Sequence, residues 1–239
     1  RQTSFDPGGF SEFIRIPAIN VDRGVFKVPD DVSFEKASFT EPLACVLRGQ
    51  QRANLEAGQS VIVLGSGLTG LLHINLARIL GAGRIIATDI VDYRLQAALQ
   101  FGADNTISAT EDVPLKLREA NGGRLADLVI VCTGALPALQ QALQSVERGG
   151  TVLFFAPTQP GVDLPVSVNE TFFRNDATLT TTYAASPSNL AQSLELIRAG
   201  GVKVEEMISH RLGLDEIGLG FKLTSEAQDS LKVIVEPQR

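Results

Sequence analysis

The run Val61-Ile-Val-Leu-Gly65-Ser-Gly67-Leu-Thr-Gly70 constrains this chain more than any other stretch. An unbroken apolar segment passes directly into G-x-G-x-x-G and then into a helix-forming sequence. Strands buried on both faces read this way, because a parallel sheet covered by helices leaves no polar face. The glycines have separate reasons. Gly65 makes the tight turn, Gly67 omits the Cβ where an anion approaches, and Gly70 lets the helix lie close to the strand. The helix start offers that anion unpaired N–H groups and a positive dipole end. A purely structural Gly-rich turn is the competing reading of these residues taken alone.

The next apolar run, Arg84 to Thr88, ends at Asp89, 19 residues beyond Gly70. A carboxylate at that spacing is placed to accept both ribose hydroxyls of an adenosine. Its charge repels a 2′-phosphate, so the pattern predicts NAD rather than NADP. A methyltransferase using S-adenosylmethionine shares the loop and the acid, and stays open at this point.

The same unit recurs along the chain. Strands are predicted at Ser60 to Leu64, Arg84 to Thr88, Asn105 to Ile107, Asp127 to Val131, Thr151 to Phe155 and Ala177 to Thr182. Helices are predicted between them, at Leu68 to Leu80, Arg94 to Phe101, Glu111 to Ala120 and Leu136 to Val146. Gly81, Gly102 and Gly122 follow three of these, where a left-handed cap costs least. Alternating β and α with short turns predicts an α/β fold, a doubly wound parallel sheet of about six strands. The flanks differ. Residues 1–40 hold Pro7, Gly8, Gly9, Pro17 and Pro29 and an alternating stretch from Phe10 to Ile16, a pattern that predicts antiparallel strand and loop in another structural layer. After Ser186-Pro187 come a helix at Asn189 to Ala199, a strand near Ile208 to Arg211, a helix from Asp215 and a strand at Lys232 to Val235. The expected boundaries are therefore 1–40, 41–185 and 186–239, with the two outer segments packed together.

Composition narrows the function. Among 239 residues, 27 acidic side chains against 21 Lys and Arg leave a formal charge of −6, which argues against nucleic acid as the main partner. A 44% hydrophobic content excludes a disordered chain. No apolar run approaches the roughly 18 residues of a membrane span. Cys45 and Cys132 stand alone, so no disulfide framework or zinc knuckle follows, and a reducing cytoplasm is expected. Thr133 lies at the carboxyl end of the fourth predicted strand, where a nicotinamide ribose would lie. Cys132 beside it reads as a small buried residue. His73 and His210 read as structural. Glu41, before Pro42 and Leu43, reads on its own as an acid at a helix start. Cys45, one turn on, is expected to face the helix packing.

Several further segments carry a resemblance: Gly8-Gly9-Phe10-Ser11-Glu12-Phe13, Glu41-Pro-Leu-Ala-Cys-Val46, the loop at 65–70, Asp89 with Arg94, Phe101-Gly-Ala-Asp104, Cys132-Thr-Gly134, Thr182-Tyr183, Leu194 to Gly200 and Leu231 to Pro237. In this order the chain resembles the zinc-dependent medium-chain dehydrogenases, especially the sorbitol, threonine and related secondary-alcohol branch. The resemblance implies a central Rossmann domain that binds NAD, flanked by remnants of a GroES-like β domain holding a catalytic zinc. It places Thr69 by the pyrophosphate, Asp89 and Arg94 by the adenosine ribose, and Phe155, Ala156, Pro157, Thr181, Thr182 and Tyr183 along the nicotinamide half. It places Glu41 beside the zinc. The family's main zinc ligands, a Cys and a Gly-His-Glu segment, have no counterpart in these residues. Phe154-Phe-Ala-Pro157 stands where the family carries Val-Gly, and Leu68-Thr69 where it carries Pro-Ile.

The resemblance implies an NAD-dependent oxidoreductase acting on a small-molecule secondary alcohol, polyol or ketone, zinc-assisted in a longer parent. It also implies a homodimer or homotetramer joined through the Rossmann sheets, with no nucleic acid or membrane partner. The alternatives are a dinucleotide-binding module without catalysis and a zinc-free quinone-reductase-like member.

Overall fold

The computed structural model describes residues 7–239; residues 1–6 of the outer segment expected at 1–40 lie outside the described residues. The chain divides into two compact units, residues 41–185 and residues 1–40 with 186–239. In chain order the elements are α1 (Ala18–Gly24), α2 (Phe34–Ala37), α3 (Thr40–Arg52), β1 (Ser60–Leu64), α4 (Leu68–Ile79), β2 (Arg84–Asp89), α5 (Asp92–Gln100) and β3 (Asn105–Ser108). There follow α6 (Val113–Ala120), β4 (Ala126–Val131), α7 (Leu136–Ser145), β5 (Val146–Phe154), β6 (Thr178–Thr181), α8 (Pro187–Arg198), β7 (Ile208–Gly213), α9 (Ile217–Glu226) and β8 (Lys232–Glu236).

In the central unit six strands form one sheet in the order β3-β2-β1-β4-β5-β6, every neighbouring pair parallel. All five residues of β1 are buried, as its continuous apolar run predicts. Ile62, Leu64, Val129, Val131 and Val152 join Leu117 of α6 and Leu139 and Ala142 of α7 in one core cluster. Gly81, Gly102 and Gly122 follow their helices with φ of +87°, +116° and +64°, the left-handed turn expected of them. From β1 the chain winds outward through β2 and β3, then returns to build β4, β5 and β6 on the other side. The carboxyl ends of β1 and β4 therefore flank the switch point, where α/β sheets leave a crevice for ligands.

Two expectations fail here. β5 starts at Val146, not at Thr151, and carries a register shift against β4 between Ala126 and Leu128. Gly149 with φ of +75° supplies the irregularity, and a Cβ on Gly150 would lie 2.8 Å from the Asp127 carbonyl. Phe10 to Ile16 forms no strand: only Arg15 is a bridge residue. Ser11 Oγ instead donates to the carbonyls of Gly8 at 2.7 Å and Phe13 at 3.0 Å, bonds that stabilise a local loop.

In the outer unit β7 and β8 pair in parallel, with α9 as the crossover. Ion pairs hold the early segment to the late one: Arg198 to Asp31 at 2.9 Å, Lys36 to Glu205 at 3.0 Å, and Arg211 to Glu35. His210 Nδ1 finds the Ser209 hydroxyl at 3.0 Å. Among the described residues no helix is long and apolar enough to cross a membrane.

Candidate functional site

The glycine loop leaves β1 at the switch point. Gly65 has φ of +96°, and its N–H donates to the Thr88 carbonyl at 2.9 Å. A Cβ on Gly70 would lie 2.0 Å from the Gly65 carbonyl oxygen, so α4 comes as near to the loop as only glycine allows. Gly67 differs. A Cβ there would meet nothing nearer than the Arg94 guanidinium at 3.8 Å, so the space above it is open to a ligand.

Asp89, at the end of β2, is 6% exposed. Its Oδ2 accepts the Ser66 N–H at 2.8 Å and its Oδ1 the Val91 N–H at 3.0 Å. A carboxylate has about four acceptor positions, so each oxygen keeps a lone pair for a further donor. The guanidinium of Arg94, in α5, borders the space above Gly67, and its buried Nε has no partner among the described residues. Gly65, Gly67, Asp89, Arg94 and Thr133 line one cavity of about 430 Å³. Ile90, Ala138 and Gln141 line it too, and sequence reasoning missed them. Their signal is weak because they are ordinary surface-helix and turn residues.

A second cavity, of about 240 Å³, is lined by Glu41, Cys45, Thr69, Phe155, Thr182 and Tyr183. The Thr182 hydroxyl oxygen is buried with no partner among the described residues. The Phe155 ring meets His73 edge to face, with centroids 4.6 Å apart. His73 is fully buried, and burial pushes its pKa down to about 3, so the imidazole is neutral. The Gln50 amide donates to the His73 carbonyl at 2.8 Å.

Four predicted residues line neither cavity. Gly70 acts beneath the loop. The Ala156 N–H is bound to the Val131 carbonyl at 3.1 Å, and the Thr181 hydroxyl donates to the Phe154 carbonyl at 2.9 Å. The Pro157 carbonyl lies against Gly134, where a Cβ would be 2.4 Å from it. Cys45 also departs from expectation: it faces the second cavity and its thiol donates to Glu41 Oε1 at 3.3 Å. The i, i+4 spacing on α3 puts both on one face. Burial, then the Glu41 carboxylate, raises its pKa to about 11. Burial raises the Cys132 thiol to about 12, and its Thr69 hydrogen bond works against that shift. Neither thiol is a ready nucleophile at neutral pH.

Glu41 and Cys45 are two candidate metal ligands. Among the described residues no group of three or more His, Cys, Asp or Glu side chains is placed to hold a metal. A catalytic zinc takes three protein ligands, so these residues alone do not form such a site.

The zinc-binding dehydrogenase family model matches residues 69–199, more than half of the chain. The chain belongs to the zinc-binding dehydrogenase family. Among these dehydrogenases, the D-xylulose reductase of Saccharomyces cerevisiae is 28% identical over 89% of this chain and 60% of its own length. The alcohol dehydrogenase of Thermus sp. ATN1 has a similar structure, with a TM-score of 0.88 and 29% identity over 96% of this chain and 66% of its own. A protein of Sinorhizobium meliloti 1021, solved with NADP bound, matches with a TM-score of 0.81 and 26% identity over 89% of this chain and 62% of its own. The chain spans about 57–65% of the length of the curated dehydrogenases it matches.

Proposed function

We propose that residues 41–185 bind NAD(H) across the carboxyl edge of the sheet, as the cofactor-binding part of a dehydrogenase for secondary alcohols or polyols. The observation that carries this reading is the Asp89–Ser66 bond, which joins a buried carboxylate to an open glycine loop at the switch point. The adenosine ribose lies at Asp89 and Arg94, with Thr133 on the far wall of the same cavity. The pyrophosphate crosses Gly67 to Thr69, where the first N–H groups of α4 have no helical partners. The second nucleoside enters the cavity of Thr69, Phe155, Thr182 and Tyr183, with Ala156, Pro157 and Thr181 supporting its wall. When bound, nicotinamide supplies the hydride acceptor or donor, and the protein supplies orientation. Phe155 gives the ring an apolar wall, and the Thr182 hydroxyl is a polar atom with no partner among the described residues.

In this reading Glu41 stands at the substrate side of the nicotinamide cavity. Zinc assistance belongs to a protein that brings further ligands to it. Residues 1–40 and 186–239 belong to the catalytic domain. The small-molecule alcohol or ketone is the substrate. The open edge of β6 suits a homodimer or homotetramer, and two free cysteines suit a cytoplasmic protein. A dinucleotide-binding role without catalysis is the second reading, favoured by the two-ligand count at Glu41.

Titration with NADH and NADPH, followed by reduced-nicotinamide fluorescence, tests the proposal. It expects one NADH per chain and weaker NADPH binding. No NADH binding, or tighter NADPH binding, contradicts it.

A further inference from the structure

Glu41, Cys45 and Arg48 stand at positions i, i+4 and i+7 of α3, and so share one helix face. The first two line the second cavity. The third reaches the segment that closes it: Arg48 Nη1 donates to the Tyr183 carbonyl at 2.6 Å and to the Ala184 carbonyl at 3.3 Å. This segment lies just beyond β6, where sheet pairing has ended at Thr181. The Tyr183 side chain does not anchor it, being 91% exposed. Ala184 has φ of +58°, a backbone state that residues with a Cβ seldom adopt and that surrounding contacts must hold. A guanidinium bonded to two successive carbonyls is such a contact, and bonds from a charged donor are stronger than neutral ones.

We propose that Arg48 is a positioning residue for the nicotinamide end of the bound dinucleotide. By holding the Tyr183–Ala184 backbone to α3, it fixes the separation between Glu41 and Cys45 on one wall of the cavity and Thr182 and Tyr183 on another. The adenosine cavity takes no part: Arg48 is not among the residues that line it. The inference rests on the dinucleotide reading and goes beyond it, because it divides the affinity for the cofactor between two ends.

The division is measurable. Arg48→Met and Arg48→Lys are titrated by calorimetry with NADH and with ADP-ribose, which lacks the nicotinamide. Arg48→Met is expected to bind ADP-ribose as the wild type does and NADH about tenfold more weakly, the order of one hydrogen bond to a charged group. Arg48→Lys, which keeps the charge and can bond one carbonyl, recovers part of the loss. Hydrogen exchange of residues 182–185 in the free protein is expected to quicken in Arg48→Met. Equal losses for both ligands, or unchanged NADH affinity, overturns the proposal, as does unchanged exchange. A wild-type chain that binds neither compound removes the dinucleotide reading, and this inference with it.

Discussion

Asp89 Oδ2 accepts the Ser66 backbone N–H at 2.8 Å, so the carboxylate proposed to select the ribose also holds the glycine loop in place. Its second oxygen holds Val91. The residue therefore has a structural task that a solvated acid at a strand end does not have.

Asp89→Asn tests both tasks. Asparagine offers one carbonyl oxygen to two N–H donors and turns an amide N–H toward one of them. A buried donor without a partner costs about 1–3 kcal/mol, so Tm falls. Removing the charge also lowers the ratio of NADH to NADPH affinity, measured by titration on the folded protein. A variant with wild-type Tm and an unchanged ratio contradicts this account of Asp89.

Gly70→Ala separates packing from binding within the loop. Its Cβ would lie 2.0 Å from a backbone oxygen that cannot move without moving the loop. Overpacking of this kind costs about 1–3 kcal/mol, read by urea unfolding. Gly67→Ala is the control: its Cβ meets only the far end of Arg94, and its stability is expected to stay near wild type. Equal destabilisation of the two variants would sink the distinction.

His73 gives the central unit a dependence on pH. The folded pKa is depressed to about 3, while the unfolded chain binds its proton near 6.5. Between those values the unfolded state holds more protons, so stability falls as pH falls below about 6.5. His73→Leu lacks this term. The stability difference between wild type and His73→Leu is expected to shift by about 2 kcal/mol against the wild type from pH 7 to pH 5, at about 1.4 kcal/mol per pH unit. Parallel pH profiles for the two proteins contradict it.

Much of this was legible in the residues themselves. The buried strand at Ser60–Leu64, the three glycines and the spaced Asp89 each follow from local chemistry, and the structure brings Gly65, Gly67 and Asp89 to one cavity, with Gly70 beneath the loop. The start of β5 was hidden because Arg148-Gly149-Gly150 reads as a turn. The alternation from Phe10 to Ile16 misled because alternation implies a strand only where one face is buried, and Phe13 is 82% exposed. Arg48 left no sequence signal, since its partners are backbone carbonyls 135 and 136 residues away.

Metal content is the fourth expectation. Two ligands leave most of the coordination sphere to water, and such an ion exchanges readily. The 239-residue chain is expected to carry well under one zinc after dialysis, by elemental analysis. One zinc per chain that survives a chelator would mean that further ligands lie within this sequence.

The central claim is that a dinucleotide pyrophosphate passes over Gly67. Calorimetric titration of NADH into wild type and Gly67→Val tests it most directly, with Tm measured on both to show that each is folded. The branched side chain would fill the open space above the loop while leaving the backbone its ordinary extended state. The account predicts one binding event for wild type and a loss of at least about tenfold for Gly67→Val at near-unchanged Tm. Wild-type NADH affinity in a folded Gly67→Val protein would contradict it.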